Sequence, residues 1–558
     1  MSNPAASTTP AELPLLTTAG PWDSILTGDA KTGLEQILPG YLLPRRWFGS
    51  KARTIAAVRL AEAIPLDLGV YLTLIDVHFT AGQPETYVLP LAFVAGEQGE
   101  TLHSERPNAV VARLHTAQGE GVLYDAVWNK EFDTLLLEAI SHGRTWQGAD
   151  GDIAATPTVA FSWLRGDPRE ALTPHVLGVE QSNTNVRYGK RLLLKLFRRL
   201  ETGANPDQEI GSFLTEKVAF PNVPPVAGAL EYRRQGAEPI SLGLLQAFVA
   251  NQGDAWRYTL DSLDDYFTRT RASYAPPAWV AVLPQEPLLT LASRPVPKEA
   301  AEAIGSYLDS ARLLARRTAE LHLALASQPE DPVFGLEPFS PAYRQHLQRD
   351  MHKLAETIFQ LLRQHIASLP AASQETARQV LALEESIVQN FDALLESDIS
   401  ALRQRIHGDY HLGQVLYTGD DFMIIDFEGE PARPLSERRQ KGSPLQDVAG
   451  MLRSFHYAAY AAYFHMINGP DCSAQTMVDL EAWARCWHLW VSVAYLQAYL
   501  EVADGAPFIP AERGELKALL DAYLLSKAVY ELGYELNNRP HWVAIPLQGI
   551  VQTAQAVQ

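Results

Sequence analysis

Apolar positions in the second half of this chain recur at intervals of three and four. Ile304, Tyr307, Leu308, Ala311, Leu314, Thr318, Leu321 and Leu325 make one stripe, which predicts a long helix with a single buried face. His322 lies beside that stripe and reads as a core histidine. The same periodicity predicts helices over 342–367, 377–395, 446–466, 475–502 and 511–532. The first half has a different rhythm. Alternating apolar stretches at 70–79 and 86–94, separated by Gly and Pro, predict strands. Residues 123–127 with 132–140 predict an amphipathic helix, and 148–152 a loop. Apolar runs at 179–188 and 191–197 flank Gly189-Lys190 and predict a hairpin, and 243–249 predicts a strand running into a Gly-Asp turn. Between the halves, 271–297 contains six prolines and predicts an irregular insertion. The expected class is α+β, with strands first and helices after.

One segment interrupts the helical half. His407-Gly408-Asp409-Tyr410-His411 is polar, 412–417 is mostly apolar, Thr418-Gly419-Asp420-Asp421 is a turn, and Phe422-Met423-Ile424-Ile425 leads into Asp426-Phe427-Glu428. A hairpin here places Asp409, Gln414 and Asp426 at one end of the unit. Phosphoryl transfer needs that inventory: a carboxylate to take or orient a hydroxyl proton, and an amide oxygen and a second carboxylate to hold metal ions. Asp409 is the candidate base, and Gln414 and Asp426 are candidate Mg²⁺ ligands. Glu428, two residues on in an extended segment, is a further one. His407 and His411 lack a third ligand at zinc spacing, so His407 is expected to brace the loop.

A second chemical segment sits in the predicted 179–197 hairpin. Lys195 falls within the apolar run Leu192-Leu193-Leu194-Lys195-Leu196-Phe197, where its charge needs an answering carboxylate or phosphate. Glu209, at a probable helix start, is the expected partner. Near the N-terminus, Trp47 with Arg45, Arg46 and Lys51 has two readings, an anion and stacking site or a buried aromatic plug flanked by solvated charge. The plug requires less.

Composition narrows the function. A chain of 558 residues suggests two to four structural units, and 47% hydrophobic with 20% charged residues is ordinary globular composition. The net charge of -19 argues against a nucleic-acid partner while leaving room for ATP, which a few local donors can hold. Cys472 and Cys486 are too few for a disulfide framework and suggest a reducing compartment. Residues 1–20 predict a disordered tail rather than a signal peptide, and no run of apolar residues is long enough to predict a membrane span.

The segments Ile425-Asp426-Phe427-Glu428-Gly429-Glu430-Pro431, Leu435-Ser436-Glu437-Arg438-Arg439 and Ser443-Pro444-Leu445-Gln446-Asp447-Val448-Ala449-Gly450-Met451-Leu452-Arg453-Ser454-Phe455 resemble the aminoglycoside-phosphotransferase-like kinases. They are most similar to the bacterial maltokinases. The resemblance covers most of 36–550, including the close around Trp542; the N-terminal tail and the proline-rich insertion depart from it. It implies a two-lobed protein-kinase-like fold with a β-rich cap subdomain at 21–120, an N-lobe with hinge at 121–253 and a mostly helical C-lobe at 254–558. It further implies ATP and Mg²⁺ as cofactors, with Ser182, Asn183 and Thr184 at the phosphates and Gln246, Phe248 and Val249 at the adenine. The implied reaction is phosphorylation of maltose to maltose 1-phosphate, feeding α-glucan synthesis in the cytoplasm, with trehalose synthase as a partner. His411, Glu430, Arg438, Asp447 and Tyr457 are the expected sugar contacts, with an internal Arg438–Asp447 ion pair as an equal alternative. Two other readings stay open: a glucosamine or aminoglycoside acceptor, and a catalytically silent scaffold.

Overall fold

The computed structural model describes residues 13–178, 182–271, 276–396, 398–468 and 473–557. The chain divides into two compact units, Met1–Ala219 with Pro224–Val249, and Phe220–Val223 with Ala250–Gln558.

The first unit is built on two sheets. One runs in the order Leu15–Thr17, Val110–Thr116, Gly119–Asp125, Glu85–Ala95, Tyr71–Phe79, Ile55–Pro65, with Arg199–Leu200 also on Glu85–Ala95. The Ala30–Leu42 helix packs Leu34, Leu38 and Leu42 toward its core. Two expectations change here. Within the predicted tail, Leu15–Thr17 pairs in parallel with Arg113 to His115; three alternating residues are too short a signal to read, and residues 1–12 lie outside the described part. The predicted helical start at 123–127 is instead the end of a strand, because Val122 to Asp125 find partners in Leu91 to Val94. The helix begins at Lys130, where the Asn129 side chain accepts the Glu131 N–H at 2.8 Å, and ends at Gly143 in the left-handed region.

The second sheet runs Thr145–Gln147, Asp152–Pro157, Val226–Arg233, Ile240–Ala247, Leu192–Phe197, Asn183–Tyr188, Pro174–Val176. The predicted hairpin is present from Asn183; Val179, Glu180 and Gln181 lie outside the described residues. Trp47 and Phe48 are buried, the Arg198 guanidinium lies 5.0 Å over the Trp47 ring, and Arg45 donates to the Tyr41 and Asn108 carbonyls. The plug is what folding selects. Arg198 itself is buried against Asp125 at 2.7 Å, and its Nε donates to Thr184 Oγ1. Asp133 lies near this pair without a cation of its own. Burial, then the Asp125 charge, lifts its pKa to about 8.

The second unit is helical. Its main members are Ala255–Arg271, Tyr307–Leu325, Pro341–His365, Leu445–Ile467, Ala474–Val502, Arg513–Asn538 and Ala544–Val557. The predicted 304–325 helix is divided, because Gly305 at φ 77 ends Lys298–Ile304 before Tyr307–Leu325 begins. The predicted 377–395 helix is likewise two, Ala371–Ala382 and Glu384–Glu396. The proline-rich insertion is irregular apart from Ala278–Ala281 and Leu288–Leu291. His322 is the core histidine expected, fully buried between the Tyr499 hydroxyl and Asp447. Cys486 is buried and free, while Cys472 lies outside the described residues. Among the described residues no helix is long and apolar enough to cross a membrane.

A carboxyl whose folded pKa is raised binds its proton more tightly in the folded state, so stability falls as pH climbs from its usual value of 3.8 to about 8. Asp133→Asn is therefore expected to melt higher than the unaltered protein at pH 8, with the gap closing toward pH 4. Thermal unfolding of both proteins across that range checks it.

Candidate active site

The hairpin of the second unit pairs Val415–Tyr417 with Phe422–Ile424. Its turn closes with Thr418 N–H on the Asp421 carbonyl at 2.9 Å. Two anchors fix it. The Tyr417 ring stacks on Tyr258 with centroids 4.1 Å apart, and the Asp421 carboxylate accepts both arms of Arg317 at 2.8 Å. The hairpin is thus rigidly attached to the Ala255–Arg271 and Tyr307–Leu325 helices.

The loop that enters it is held from below by one helix. His407 and Gly408 donate their backbone N–H groups to Asp447 at 2.8 and 2.9 Å, and the same carboxylate lies 3.1 Å from His322 Nε2. Burial alone would raise the Asp447 pKa, but His322 and His407 and the loop amide outweigh it, so the carboxyl stays below its usual range. Further along the helix, Gly450 lies under the Tyr410 carbonyl, where a Cβ would come within 2.5 Å of the oxygen, and Ser454 Oγ accepts the Leu412 N–H at 3.1 Å. Asp447, Gly450 and Ser454 recur at helical spacing and form one face. His407 braces the loop from above, with Nε2 2.9 Å from the Ile425 carbonyl and its ring between Tyr410 and Phe427. Asp447 is therefore committed to backbone and His322. At 1% exposure, it is corrected from sugar contact to loop anchor.

This scaffold leaves the Asp409 carboxylate facing a cleft of about 340 Å³. Lys527 Nζ lies 3.4 Å from Asp409 and 3.7 Å from Glu430, on the Arg513–Asn538 helix. Burial pulls the Lys527 pKa down, but the Asp409, Glu430 and Glu531 carboxylates outweigh it and keep the ammonium charged. His411 Nε2 is 3.8 Å from Asp409; burial exceeds that attraction and holds the imidazole below its usual pKa. Arg438 and Glu430 line the cleft, and Arg438 donates to the Glu428 and Arg433 carbonyls. Tyr457 does not line it. Its hydroxyl donates to Glu535 at 3.2 Å and its ring stacks near Trp542, which makes it a helix-to-helix brace rather than the sugar contact predicted.

Sequence reasoning missed Lys527. The argument that singles out Lys195 applies to it equally, since it sits in Leu524-Leu525-Ser526-Lys527-Ala528-Val529, but a helix offers a lysine more routes to solvent than a central strand does.

Gln414, Asp426 and Glu428 occupy the end of the hairpin. The Gln414 carbonyl accepts the Ile425 N–H at 3.0 Å, which keeps the two strands' ends side by side. Asp426 has a φ of 68, an uncommon conformation for a residue with a Cβ. The Asp426 and Glu428 carboxylates come within 4.8 Å of each other. Two carboxylates and an amide oxygen are hard donors of the type Mg²⁺ takes, so the set fits that ion.

In the first unit Lys195 is buried, and the carboxylate on it is Asp207 at 2.7 Å. A buried counter-ion of Lys195 is thus Asp207, which the sequence reading did not single out beside Glu209. Asp207 opens the Pro206–Phe213 helix, its N–H capped by Asn205, and turns inward; two residues on, Glu209 is rotated by about 200° and only half-buried. Among the predicted phosphate contacts, Ser182 is exposed and Asn183 is buried. Thr184 is buried and engaged by Arg198, which corrects it to a structural role. Gln246 is buried in register with Leu193. The Phe248 N–H donates to the Arg191 carbonyl at 2.7 Å, its ring lies 5.5 Å from the Arg187 guanidinium, and Val249 closes the unit.

Comparison with known proteins agrees with these features. Residues 41–128 match the maltokinase N-terminal cap domain, and residues 276–475 match the phosphotransferase enzyme family. A glucosamine kinase of Streptacidiphilus jiangxiensis is 24% identical over 379 residues, which are 66% of this chain and 70% of that protein. A glucosamine kinase of Mycolicibacterium smegmatis (strain ATCC 700084 / mc(2)155) is 29% identical over 142 residues, 25% of this chain and 32% of that one. Among solved structures, a glucosamine kinase in complex with glucosamine, ADP and inorganic phosphate superimposes with a TM-score of 0.60 at 18% identity, covering 96% of this chain and 99% of its own. A second crystal form of glucosamine kinase gives 0.58 at 19% identity, covering 91% and 96%. At such identity the structural likeness establishes the fold, which is kinase-like. A maltokinase-type cap region, a phosphotransferase-family region and a kinase-like fold together make this chain a kinase similar to the aminoglycoside-phosphotransferase-like enzymes.

Proposed function

We propose that this kinase transfers the γ-phosphoryl group of ATP to the anomeric hydroxyl of maltose, giving maltose 1-phosphate and ADP. The observation that carries the acceptor class is the cation set against the Asp409 carboxylate. Arg433, Arg438 and Lys527 line the cleft with Asp350, Asp409, Glu430 and Glu437, while Lys441 is bound by Glu337 and Asp447 by His322 and two loop amides. Lys527 stands between the two carboxylates that an amino sugar would use. A second ammonium about 4 Å from it would be opposed by roughly 4 kcal/mol at an effective dielectric near 20. A neutral sugar meets no such opposition. The volume of about 340 Å³ and the tyrosines Tyr343 and Tyr530 suit more than one sugar ring.

In this reading Asp409 orients the attacking hydroxyl and takes its proton as the acceptor oxygen bonds to phosphorus and the β,γ-bridging P–O bond breaks. Lys527 holds the Asp409 carboxylate in place. Glu430, Arg438 and His411 bond acceptor hydroxyls. Gln414, Asp426 and Glu428 would hold Mg²⁺, which supplies positive charge to the phosphates when bound. Lys195, set by Asp207, meets nucleotide phosphate together with Ser182 and Asn183, while Gln246, Phe248 and Val249 border the adenine. Glu209 remains a candidate at the same helix start. The proposal also takes in the α-glucan role, the trehalose synthase partner and the cytoplasmic setting that the resemblance implies.

A second reading, glucosamine as acceptor, is favoured by what the similar proteins are called. Mass analysis of products from ATP and Mg²⁺ with maltose, glucose and glucosamine in parallel is expected to show phosphate on maltose at the anomeric carbon; turnover confined to glucosamine would remove the first reading. Asp409→Asn should lower kcat by about 10²-fold or more at an unchanged melting temperature, the usual size of lost acid–base assistance. Retention of full activity by that variant would discard the mechanism. Lys527→Gln should shift the kcat/KM ratio of maltose to glucosamine by about 10³-fold toward glucosamine, measured by competing the two acceptors, the factor that removal of a repulsion of roughly 4 kcal/mol gives.

A further inference from the structure

Lys527 attracts more carboxylates than it touches. Asp409 at 3.4 Å and Glu430 at 3.7 Å are its ion-pair partners among the described residues, and its Nζ lies 5.0 Å from the centre of the Tyr530 ring. Glu531 sits one turn further along the Arg513–Asn538 helix, and residues four apart on a helix are neighbours. Its charge acts on Lys527, yet among the described residues it makes no ion pair with that ammonium. Arg453 is the reason. This guanidinium, on the Leu445–Ile467 helix and 3% exposed, donates from Nε at 2.9 Å and from Nη2 at 2.7 Å to one and the same Glu531 oxygen. Gly549 on the Ala544–Val557 helix makes the room, since a Cβ there would collide with Arg453 Nη1. The ionisable groups beside Arg453, His456 and His488, are held neutral by burial, so Glu531 is its carboxylate partner. On the Glu531 helix, Lys517 and Arg539 already hold Asp521 and Glu535. Lys527 is thus the cation that a released Glu531 would reach.

We infer that Arg453 is a positioning residue for phosphoryl transfer: by holding Glu531 it keeps that carboxylate off Lys527, and the ammonium stays on Asp409 and Glu430. The inference rests on the role proposed for Asp409 and extends the acceptor site to two side chains that do not line the cleft. Arg453, Glu531, Lys527 and Asp409 alternate in sign across two helices and the 407–411 loop, so a change at one end reaches the other. A freed Glu531 would draw the ammonium along its own helix, and Asp409 would lose the contact that orients it. The Leu445–Ile467 helix then fixes the loop twice, its backbone through Asp447 and its catalytic carboxylate through Arg453.

Initial rates of the full-length protein are the test, with ATP, Mg²⁺ and whichever of maltose and glucosamine the unaltered protein turns over. Arg453→Met should lower kcat about tenfold at an unchanged KM for ATP, as misplacement of a reacting group does. Adding Glu531→Leu to Arg453→Met should recover most of that loss, because the competing carboxylate is gone and an apolar pair can replace a buried ion pair without loss of stability. Full activity of Arg453→Met overturns the inference. So does a double variant as slow as the single one, since a plain helix-to-helix brace is not restored by losing its second half. If Arg453→Met fails to fold, Gly549→Ala decides, because it crowds the guanidinium and keeps its charge: a lowered kcat at an unchanged KM for ATP supports the inference, and full activity overturns it. Asp409→Asn separates the two levels. Full activity in that variant removes the proposed mechanism and this inference with it, whereas an inactive Asp409→Asn beside a fully active Arg453→Met removes the inference alone.

Discussion

One buried carboxylate sets the geometry of the 407–411 loop. Asp447 takes two successive amides of the 407–411 loop and a histidine from the Tyr307–Leu325 helix while fully buried. Loops are ordinarily the mobile part of a fold, yet a residue that must meet a hydroxyl within hydrogen-bond distance has little tolerance for movement. Fastening the loop's backbone to a helix through an ionised acceptor resolves the conflict. The arrangement is costly to break, since removing one partner of a buried charge typically destabilises by about 3–5 kcal/mol. Gly450 extends the same logic: the helix lies so close beneath Tyr410 that any side chain there would push the loop outward.

Charge compensation recurs wherever the fold buries an ion. In the first unit, Lys195 lies in an apolar strand only because Asp207 reaches it from a capped helix start, and Arg198 only because Asp125 and Thr184 surround it. In the second, Lys527 balances Asp409 and Glu430. Such pairs add little net stability over an apolar core, yet each is costly to break once buried. The contrast with Asp133, which is buried without a cation and responds by keeping its proton, shows what happens to a carboxyl that lacks this support.

Much of the hairpin unit is legible in the sequence. His407 to Glu428 reads as a loop, strand, turn and strand because each piece is local: turn residues punctuate two short apolar runs, and the order Asp409, Gln414, Asp426 follows from alternation along them. Lys195 stands out because a central strand gives a lysine no path to solvent. The α+β division, the long helices and the buried plug at Trp47 follow from periodicity and composition in the same way.

What tertiary structure alone decided is which distant side chains complete each local signal. Asp207 lies buried against Lys195, because a helix start rotates neighbours by about 100° per residue and only packing selects the one that faces inward. Asp447 became an anchor, Tyr457 a brace and Lys527 a member of the site for the same reason: helical residues at similar spacing differ in role only through what the folded chain sets against them. Local pattern determines the elements and the chemistry they carry. Pairing across long stretches of chain, where sequence distance carries no information about spatial distance, determines which of that chemistry is free to act.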